Sequence, residues 1–199
     1  ESHVDRSIED PSNFIKTNIE GTYNLLNILN KYYSVLLTKK KKTFKFIHIS
    51  TDEVFGELGK TGKFNEKSNY KPNSPYSASK ACSDMLVRAW QKTYNFPSII
   101  CNCSNNYGPY QHPEKLIPNV ILRSVKGLPI EIYGEGKNKR DWLFVEDHVN
   151  ALHKVMVNGV SGNLYTIGTG KDYTNIQVIN KIVKILKKNK VFLKKYSNF

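Results

Sequence analysis

Two short groups of residues in this sequence carry the side chains of acid–base chemistry. The first is Thr51-Asp52-Glu53, a hydroxyl and two carboxyl groups in succession. The second is Tyr76 and Lys80, which have the i, i+4 spacing of neighbours on one helix face. A lysine ammonium beside a tyrosine favours the phenolate and lowers the pKa of the phenol. The spacing therefore predicts that Tyr76 acts as a general base.

The pattern Tyr-x-x-x-Lys is weak evidence by itself, because 12 tyrosines in a lysine-rich chain supply such matches by chance. A second match, Tyr133 and Lys137, encloses Gly134 and Gly136, which disfavour a helix. The first match lies at the start of a predicted helix instead. Thr51-Asp52-Glu53 taken alone is compatible with an ordinary turn, but its place after a buried strand and before this helix favours a catalytic role.

Alternating strands and helices must position these residues. Strands are predicted at residues 44–50, 98–103, 130–133 and 163–167, and helices at 11–33, 75–94, 114–126, 146–157 and 174–188. The lysine run 39–42 is predicted to be a solvated loop. This alternation predicts an α/β fold with a parallel sheet. In such sheets ligands bind at the carboxyl ends of strands, where residues 51–53 and the polar residues 104–107 fall.

Composition narrows the class of protein. A chain of 199 residues can bury one sizeable core. Its net charge of +13 comes from 30 Lys and Arg residues, of which only four are Arg. A charge that comes almost entirely from lysine is weak evidence for a nucleic-acid partner, so none is expected. A basic surface still attracts an anionic nucleotide. Three cysteines favour a reduced, cytoplasmic setting over a disulfide framework. No apolar run approaches the ~20 residues of a bilayer span, so no membrane partner is expected.

Two single residues invite a specific interpretation. His3 lacks an accompanying cluster of carboxylates and histidines, so we expect it to orient backbone or lie near a cofactor, and we predict no metal site. Arg140 stands out in an Arg-poor chain and suits bidentate phosphate binding. The alternative for Arg140 is a salt bridge to Asp141 or Glu146.

Several stretches of sequence carry a family resemblance. They are residues 1–7 (ESHVDRS), 50–56 (STDEVFG), 74–80 (SPYSASK), 102–110 (NCSNNYGPY), 113–118 (PEKLIP) and 140–148 (RDWLFVEDH). Through them the chain resembles the extended short-chain dehydrogenase/reductase family, and within it the nucleotide-sugar 4,6-dehydratases, over about residues 1–188. The resemblance implies a Rossmann-like, doubly wound parallel sheet with a smaller C-terminal substrate-binding part.

The resemblance also implies a division of the chain. Residues 1–107 are expected to form the C-terminal portion of an NAD-binding Rossmann domain that carries the catalytic residues. Residues 108–188 are expected to be mainly nucleotide-sugar-binding, with some segments returning to the Rossmann sheet. Residues 189–199 read as a divergent basic tail.

An internal redox cycle with NAD as cofactor is the activity that the resemblance implies. Tyr76, supported by Lys80, takes the proton of the sugar 4-hydroxyl while C4 gives a hydride to NAD+. Glu53 then removes the C5 proton and Asp52 protonates the departing 6-hydroxyl, after which the hydride returns to C6. Thr51 hydrogen-bonds the 4-oxygen. The favoured substrate is dTDP-glucose, with a uridine nucleotide left open.

The same resemblance assigns binding residues. Those expected near NAD are Glu1, Ser2, His3, Thr17, Tyr76, Lys80 and Asn106. Those expected to line the nucleotide-sugar site are Ser2, Thr51, Asn105, Lys115, Leu116, Tyr133, Arg140 and Asn175. Family members are commonly dimers joined through two long helices, here about 11–33 and 76–94, so we expect a homodimer of the full-length protein.

Both ends of the chain depart from the family pattern. No Gly-x-x-Gly-x-x-Gly segment precedes Glu1, and no Arg-containing substrate segment follows Lys188. We therefore expect a fold that is incomplete at both ends. If these 199 residues are the whole product, we expect weak or no NAD binding and no turnover, because the pyrophosphate lacks its glycine loop. The alternatives are a UDP-sugar epimerase or decarboxylase of the same superfamily, and a non-catalytic relic.

Overall fold

A computed structural model describes residues 1–59, 61–132 and 134–190. The helices are α1 (Val4–Glu9), α2 (Ser12–Phe14), α3 (Gly21–Val35), α4 (Thr38–Lys41), α5 (Pro75–Tyr94), α6 (Leu116–Lys126), α7 (Val145–Asn158) and α8 (Asn175–Lys188). The strands are β1 (Phe46–Thr51), β2 (Ser98–Cys103), β3 (Asn105–Tyr107), β4 (Lys139–Phe144), β5 (Leu164–Ile167) and β6 (Asp172–Thr174). A π-helical segment, Ile15–Glu20, joins α2 to α3, and a 3₁₀ turn, Asp52–Phe55, follows β1.

The chain divides into two compact units. Unit 1 comprises Glu1–Ser104 and His148–Ile167, and unit 2 comprises Asn105–Asp147 together with the residues from Gly168 onward. Among the described residues each unit contains a three-stranded sheet.

The sheet of unit 1 has the strand order β1-β2-β5, and both pairs of neighbours are parallel. Phe46 lies opposite Ser98 at one end of β1, and Thr51 lies opposite Cys103 at the other. The carboxyl ends of β1 and β2 therefore meet at one edge of the sheet. This confirms the predicted α/β fold with a parallel sheet, and it places the Thr51 segment at the edge where ligands bind in such folds.

Helix α5 covers one face of this sheet, and local sequence sets both of its ends. Ser74 and Ser77 form a capping box, and Pro75 occupies the first turn, where its missing N–H costs nothing. The helix ends at Asn95, whose φ of 52° is the left-handed conformation that Asn tolerates. The helix is therefore defined by its own sequence before it packs.

The core beneath α5 is apolar and rich in aromatic rings. Leu26, Val87 and Phe96 are completely buried, and Ile100 of β2 packs with them. Each such side chain stabilises the fold by about 1.5–3 kcal/mol relative to exposure. On the other face of β2, Gly159 lies so close to Ile99 that a Cβ there would fall 2.9 Å from the Ile99 side chain.

Unit 2 is built on the sheet β3-β4-β6. Strand β3 runs parallel to β4, and β4 runs antiparallel to β6. A capping box of Thr174 and Gln177 starts α8, which packs against α6 and buries Val178 and Ile179. Thr174 is therefore both the last residue of β6 and the N-cap of α8.

The structure corrects two predicted elements. Residues 130–132 do not form a strand, and Tyr133 lies outside the described residues. Proline at position 129 and a positive φ at Gly134 flank this apolar triplet, which explains why its composition misled. The lysine run 39–42 is mostly the exposed helical turn α4 rather than a loop. Within the described part of the chain, no helix has the length and apolar character needed to cross a bilayer.

Candidate active site

The segment Thr51-Asp52-Glu53 is a capped turn at the end of β1. Thr51 is 8% exposed, and its Oγ1 accepts a hydrogen bond from the backbone N–H of Glu53 at 3.2 Å. The same hydroxyl lies 3.4 Å from Oδ1 of Asp52. Asp52 and Glu53 are half-buried, whereas Val54 and Phe55 after them are buried. The two apolar residues therefore anchor the turn that presents the two carboxylates.

Gly56 closes this turn in a conformation that a side chain would not tolerate. Its φ is 83°, and a Cβ at this position would overlap the carbonyl oxygen of Lys71. The backbone N–H of Lys71 in turn donates to the carbonyl of Val54 at 2.9 Å. The loop after the turn is thus held against it by backbone contact.

Tyr76 enters the site from the first turn of α5. It is 8% exposed, and its ring makes an edge-on contact with Phe14 at 6.3 Å between centroids. Its backbone N–H donates to Oγ of Ser7 at 3.1 Å. Helix α1, which carries Ser7, therefore fixes the start of α5 and with it the position of Tyr76.

The environment of Tyr76 holds the phenol in its protonated form. Burial raises the pKa of Tyr76 above its usual range, and the charge of Glu53 raises it further. A hydrogen bond with Thr51 acts in the opposite direction. The prediction that Lys80 lowers the pKa of Tyr76 is wrong for this structure, because desolvation and the adjacent carboxylate dominate.

Lys80 lies one turn further along α5 and is bound to the sheet. Its Nζ donates to the carbonyl of Ile49 in β1 at 2.8 Å. Burial lowers the pKa of Lys80, while the charge of Asp84 offsets part of that effect. The predicted catalytic residues of unit 1 therefore lie together at the carboxyl end of β1. A hydrogen bond with Thr51 and the charge of Glu53 both affect the pKa of Tyr76.

The residues assigned to the cofactor at the N-terminus differ in how they are used. His3 is the N-cap of α1, where its Nδ1 accepts from the N–H of Arg6 at 3.5 Å, so it does orient backbone. Glu1, Ser2 and Thr17 are exposed. In the described ranges, no group of three His, Cys, Asp or Glu side chains is placed to hold a metal ion.

Asn18, next to Thr17, is a buried polar residue that the sequence analysis did not single out. It lies in the π-helical segment, and its Nδ2 donates to Oγ of Ser79 at 2.9 Å and to the carbonyl of Glu1 at 3.1 Å. Segments of π-helix occur frequently at functional sites. The wider π turn directs the Asn18 side chain inward. No sequence pattern predicts such a turn.

Unit 2 holds the remaining substrate candidates. Arg140 of β4 is exposed, and its Nη1 donates to the carbonyl of Lys139 at 2.9 Å. The carboxylate of Asp141 accepts instead from the N–H groups of Thr169 and Gly170. This geometry leaves Arg140 directed to solvent and disfavours the salt bridge to Asp141. Asn175 begins α8 nearby, with its N–H donating to the carbonyl of Asn138 at 3.0 Å.

The other candidates of unit 2 stand on strand β3 and at the start of α6. Asn105 and Asn106 are half-buried in β3, where the carbonyl of Asn106 accepts from Gln111 at 2.8 Å. Lys115 is the N-cap of α6 and Leu116 is its first residue, both half-buried. Tyr133, the last candidate, lies outside the described residues.

Comparison with known sequences places this arrangement in a family. Residues 1–197 match the family described as GDP-mannose 4,6 dehydratase. The dTDP-glucose 4,6-dehydratase of Xanthomonas campestris pv. campestris strain B100 is 53% identical over 186 residues, which is 94% of this chain and 53% of that protein. The enzyme of the same name from Salmonella typhimurium is 53% identical over 195 residues, again 94% of this chain and 54% of the relative.

Solved structures agree with the sequences. A crystal structure of DesIV, the dTDP-glucose 4,6-dehydratase of Streptomyces venezuelae with NAD and TYD bound, matches with a TM-score of 0.86 and 41% identity, covering 94% of this chain and 55% of that one. A UDP-glucose 4-epimerase of Thermus thermophilus in complex with NAD matches with a TM-score of 0.82 and 26% identity, covering 92% and 58%. The fold of this chain is therefore Rossmann-like α/β, as predicted.

The chain spans about half the length of the curated relatives it matches. The matched range, residues 1–197, covers the Thr51-Asp52-Glu53 turn and the Tyr76/Lys80 pair described above. The predicted resemblance to nucleotide-sugar 4,6-dehydratases is confirmed, and the chain belongs to the GDP-mannose 4,6-dehydratase family.

Proposed function

We propose that this protein is a nucleotide-sugar 4,6-dehydratase that converts dTDP-glucose to dTDP-4-keto-6-deoxyglucose and water. The observation that carries the proposal is the turn of unit 1 that presents Asp52 and Glu53 beside the buried phenol of Tyr76. Redox chemistry alone needs the tyrosine, whereas loss of water also needs an acid and a base. Relatives with the dTDP-glucose name at 53% identity favour that substrate.

NAD is the cofactor that this reaction needs, and the donor set of unit 1 fits a ribose. The hydroxyl of Tyr76 and the ammonium of Lys80 stand one turn apart on α5 and offer hydrogen bonds suited to vicinal hydroxyls. We assign Glu1, Ser2, His3, Thr17 and Asn106 to the surroundings of the same cofactor. When bound, NAD+ would supply a reversible hydride acceptor.

Tyr76 is the residue that handles the proton of the sugar 4-hydroxyl. In this structure its raised pKa keeps the proton on the phenol, so Tyr76 becomes a base when positive charge lowers that pKa. Thr51, whose hydroxyl already hydrogen-bonds Tyr76, is placed to orient the 4-oxygen between them. Lys80 contributes its charge from a position fixed by the Ile49 carbonyl.

Elimination of water falls to the two carboxyl groups. A 4-ketone acidifies the hydrogen on C5, and Glu53 removes it as a general base. Asp52 gives a proton to the departing 6-hydroxyl. The 3₁₀ turn fixes both groups relative to Thr51, so proton transfer and orientation of the 4-oxygen depend on one short segment.

Recognition of the nucleotide sugar is assigned to Arg140 and seven further residues. Arg140 suits the diphosphate because a guanidinium binds phosphate oxygens in a bidentate manner. The full set that we assign to the substrate is Ser2, Thr51, Asn105, Lys115, Leu116, Tyr133, Arg140 and Asn175.

The direct test uses the native protein purified from its source. Its intact mass is compared with 22.8 kDa, and the protein is then incubated with dTDP-glucose and NAD+ while the sugar nucleotide is weighed by mass spectrometry. Loss of one water with no net consumption of NAD+ is the expected result. An unchanged nucleotide mass, or conversion to a 4-epimer, overturns the proposal.

A Glu53→Gln variant separates a dehydratase from an epimerase of the same fold. In a dehydratase this variant still forms enzyme-bound NADH but no longer releases water, because the base for C5 is gone. An epimerase does not use Glu53 in this way and keeps its activity. Turnover by Glu53→Gln at the wild-type rate therefore argues for the epimerase.

We also propose that the protein works as a homodimer in the cytoplasm. Large apolar side chains remain exposed on the two long helices, among them Ile28 and Val35 on α3 and Met85 on α5. Family members commonly join through these helices. Its three cysteines are free thiols, one of them exposed, which suits a reducing compartment. Native mass spectrometry and fractionation of cells test the two statements.

A further inference from the structure

A fully buried carboxylate lies beneath the candidate site. Asp84 of α5 is 0% exposed, and its Oδ2 accepts hydrogen bonds from the hydroxyl of Tyr70 at 2.8 Å and from Nδ2 of Asn102 at 3.1 Å. Nε2 of His48 approaches Oδ1 of Asp84 to 3.0 Å, within ion-pair distance but outside hydrogen-bond geometry. These four residues, Asp84, Tyr70, Asn102 and His48, are termed the Asp84 cluster.

Stability alone is a poor reason for this cluster. Removing a carboxylate from water carries a large desolvation penalty, and apolar residues of similar volume are often as stable or more stable in such places. Burial and the charge of Asp84 raise the pKa of Tyr70, so Tyr70 remains a donor to the carboxylate. The cluster is thus a fixed array of donors around one acceptor, and such arrays specify geometry.

Asn102 links this array to the candidate site. The same Nδ2 that donates to Asp84 donates its second hydrogen to the backbone carbonyl of Thr51 at 3.0 Å. That carbonyl belongs to the peptide that joins Thr51 to Asp52. Asn102 is 1% exposed and lies on β2, opposite Ser50 in the register of the sheet. Both amide hydrogens are therefore committed, one to α5 and one to the turn.

Asp84 also stands on the helix face that carries the other candidate residues. Tyr76, Lys80 and Asp84 follow one another at intervals of four residues along α5, which places them on one side of the helix. Through Asn102, the helix that presents Tyr76 is joined to the turn that presents Asp52 and Glu53. The helix and the turn are thereby held in fixed positions relative to each other.

We propose that Asp84 and Asn102 are positioning residues, which hold the Thr51–Asp52 peptide so that Asp52 and Glu53 reach the substrate for loss of water. The inference rests on the dehydratase function proposed above and deepens it. Neither residue touches the reacting atoms. Loss of the Asn102 amide is expected to let the turn shift, and a displacement of about 1 Å can cost about 10²-fold in rate.

The test compares three variants in the full coding sequence of the protein. Asn102→Leu removes both amide hydrogens at similar volume. The double variant Asp84→Asn with Asn102→Asp exchanges donor and acceptor, so that an amide on α5 can donate to a carboxylate on β2 while the Thr51 carbonyl loses its donor. Ile100→Ala is the matched control, because Ile100 is buried on the same strand and packs beneath α5 but has no polar link to the turn.

The readout is a single turnover with dTDP-glucose, followed by nicotinamide absorbance and by the mass of the nucleotide. In Asn102→Leu and in the double variant, NADH is expected to form and persist while loss of water slows by about 10–100-fold. The double variant is expected to keep its thermal stability better than Asn102→Leu, since its buried pair persists. Ile100→Ala is expected to melt earlier without a change in the ratio of the two steps.

Three outcomes decide between the hypotheses. Persistent NADH in both Asn102 variants and not in Ile100→Ala supports the positioning role. Equal slowing of oxidation and water loss in all three variants, or wild-type rates in the Asn102 variants, overturns it. A wild-type protein that never removes water from dTDP-glucose instead contradicts the proposed function itself, so the two failures are distinguishable.

Discussion

Thr51 and Tyr76 of unit 1 differ from Arg140 of unit 2 in how firmly the fold holds them. Thr51 and Tyr76 are each 8% exposed, and hydrogen bonds tie their backbones to Asn102 and Ser7, far away in sequence. Arg140 of unit 2 is exposed and bonds to the carbonyl of its own neighbour, Lys139. The first group is fixed before any ligand arrives, whereas the side chain of Arg140 is free to adjust.

This difference matches the two kinds of work proposed for them. Acid–base groups must be held close to their productive geometry, because small displacements cost large factors in rate. A long cationic side chain that grips a phosphate tolerates movement and loses rotamer freedom on binding instead. Changes in unit 1 should therefore act on kcat or on stability, and changes at Arg140 should act on KM.

The largest effect is expected for Tyr76→Phe. Removing the phenolic hydroxyl while keeping the ring against Phe14 should lower kcat by about 10³-fold, within the range for loss of a general acid–base group. Steady-state turnover of dTDP-glucose measures it. Tyr165→Phe is the control, since that hydroxyl accepts from the N–H of Val160 on the same unit. Turnover of Tyr76→Phe within about tenfold of wild type would remove Tyr76 from the proposed proton transfer.

A second expectation concerns the rigidity of the Thr51 turn. Gly56→Ala should lower the free energy of unfolding by about 1–3 kcal/mol, because φ is 83° and a Cβ would meet the Lys71 carbonyl. Gly59→Ala is the matched control, as open space surrounds that position. Denaturant midpoints with equal m-values give the difference. Similar midpoints for the two variants would show that the turn is not rigidly held.

For unit 2, Arg140→Ala should raise KM for the nucleotide sugar by about 10–100-fold with little change in kcat. A charged hydrogen bond is worth about 1.5–3 kcal/mol, which corresponds to that range. Arg140→Lys keeps the charge but lacks the planar guanidinium, so its KM should lie between those of wild type and Arg140→Ala. The control Arg123→Ala removes a guanidinium of unit 2 that is bound to Glu131. A fall in kcat as large as that of Tyr76→Phe would erase the distinction between the units.

The smallest effect is expected at Glu66, which ties its loop to β5. Its Oε1 accepts from the hydroxyl and the N–H of Thr166, and these hydrogen bonds lower the pKa of Glu66. A lowered pKa in the folded state adds stability above the unfolded pKa of about 4.3, and that stability is lost as pH falls through the folded value. Glu66→Gln should therefore be slightly less stable at pH ~7 and match wild type at pH ~2.

Urea denaturation across this pH range measures the gap, and a Thr166→Val background should shrink it. A gap that persists at low pH would mean that the carboxylate charge has no part in it.

Much of unit 1 could be predicted from sequence because its signals are local. The bounds of α5 and β2 match the predicted 75–94 and 98–103, since a capping box, Pro75 and an apolar run mark them. Strands β4 and β6 of unit 2 were missed. Polar residues make up half or more of each strand, and polar and apolar residues do not alternate along β4. The direction of the Tyr76 pKa was wrong for a different reason. Burial and the charge of Glu53 arise from the fold, and the sequence shows only the spacing to Lys80.

The π-helical segment Ile15–Glu20 limits which changes in chain length this protein can accept. A π turn is an α-helical turn with one residue added. Deleting one residue there would let the segment relax to an ordinary α-helical turn, so the residues within it would face other directions. Asn18 would then leave Ser79, although every residue type needed for the contact would still be present. A one-residue gap in this segment of a homologue therefore predicts loss of the Asn18–Ser79 hydrogen bond even where both residue types are kept.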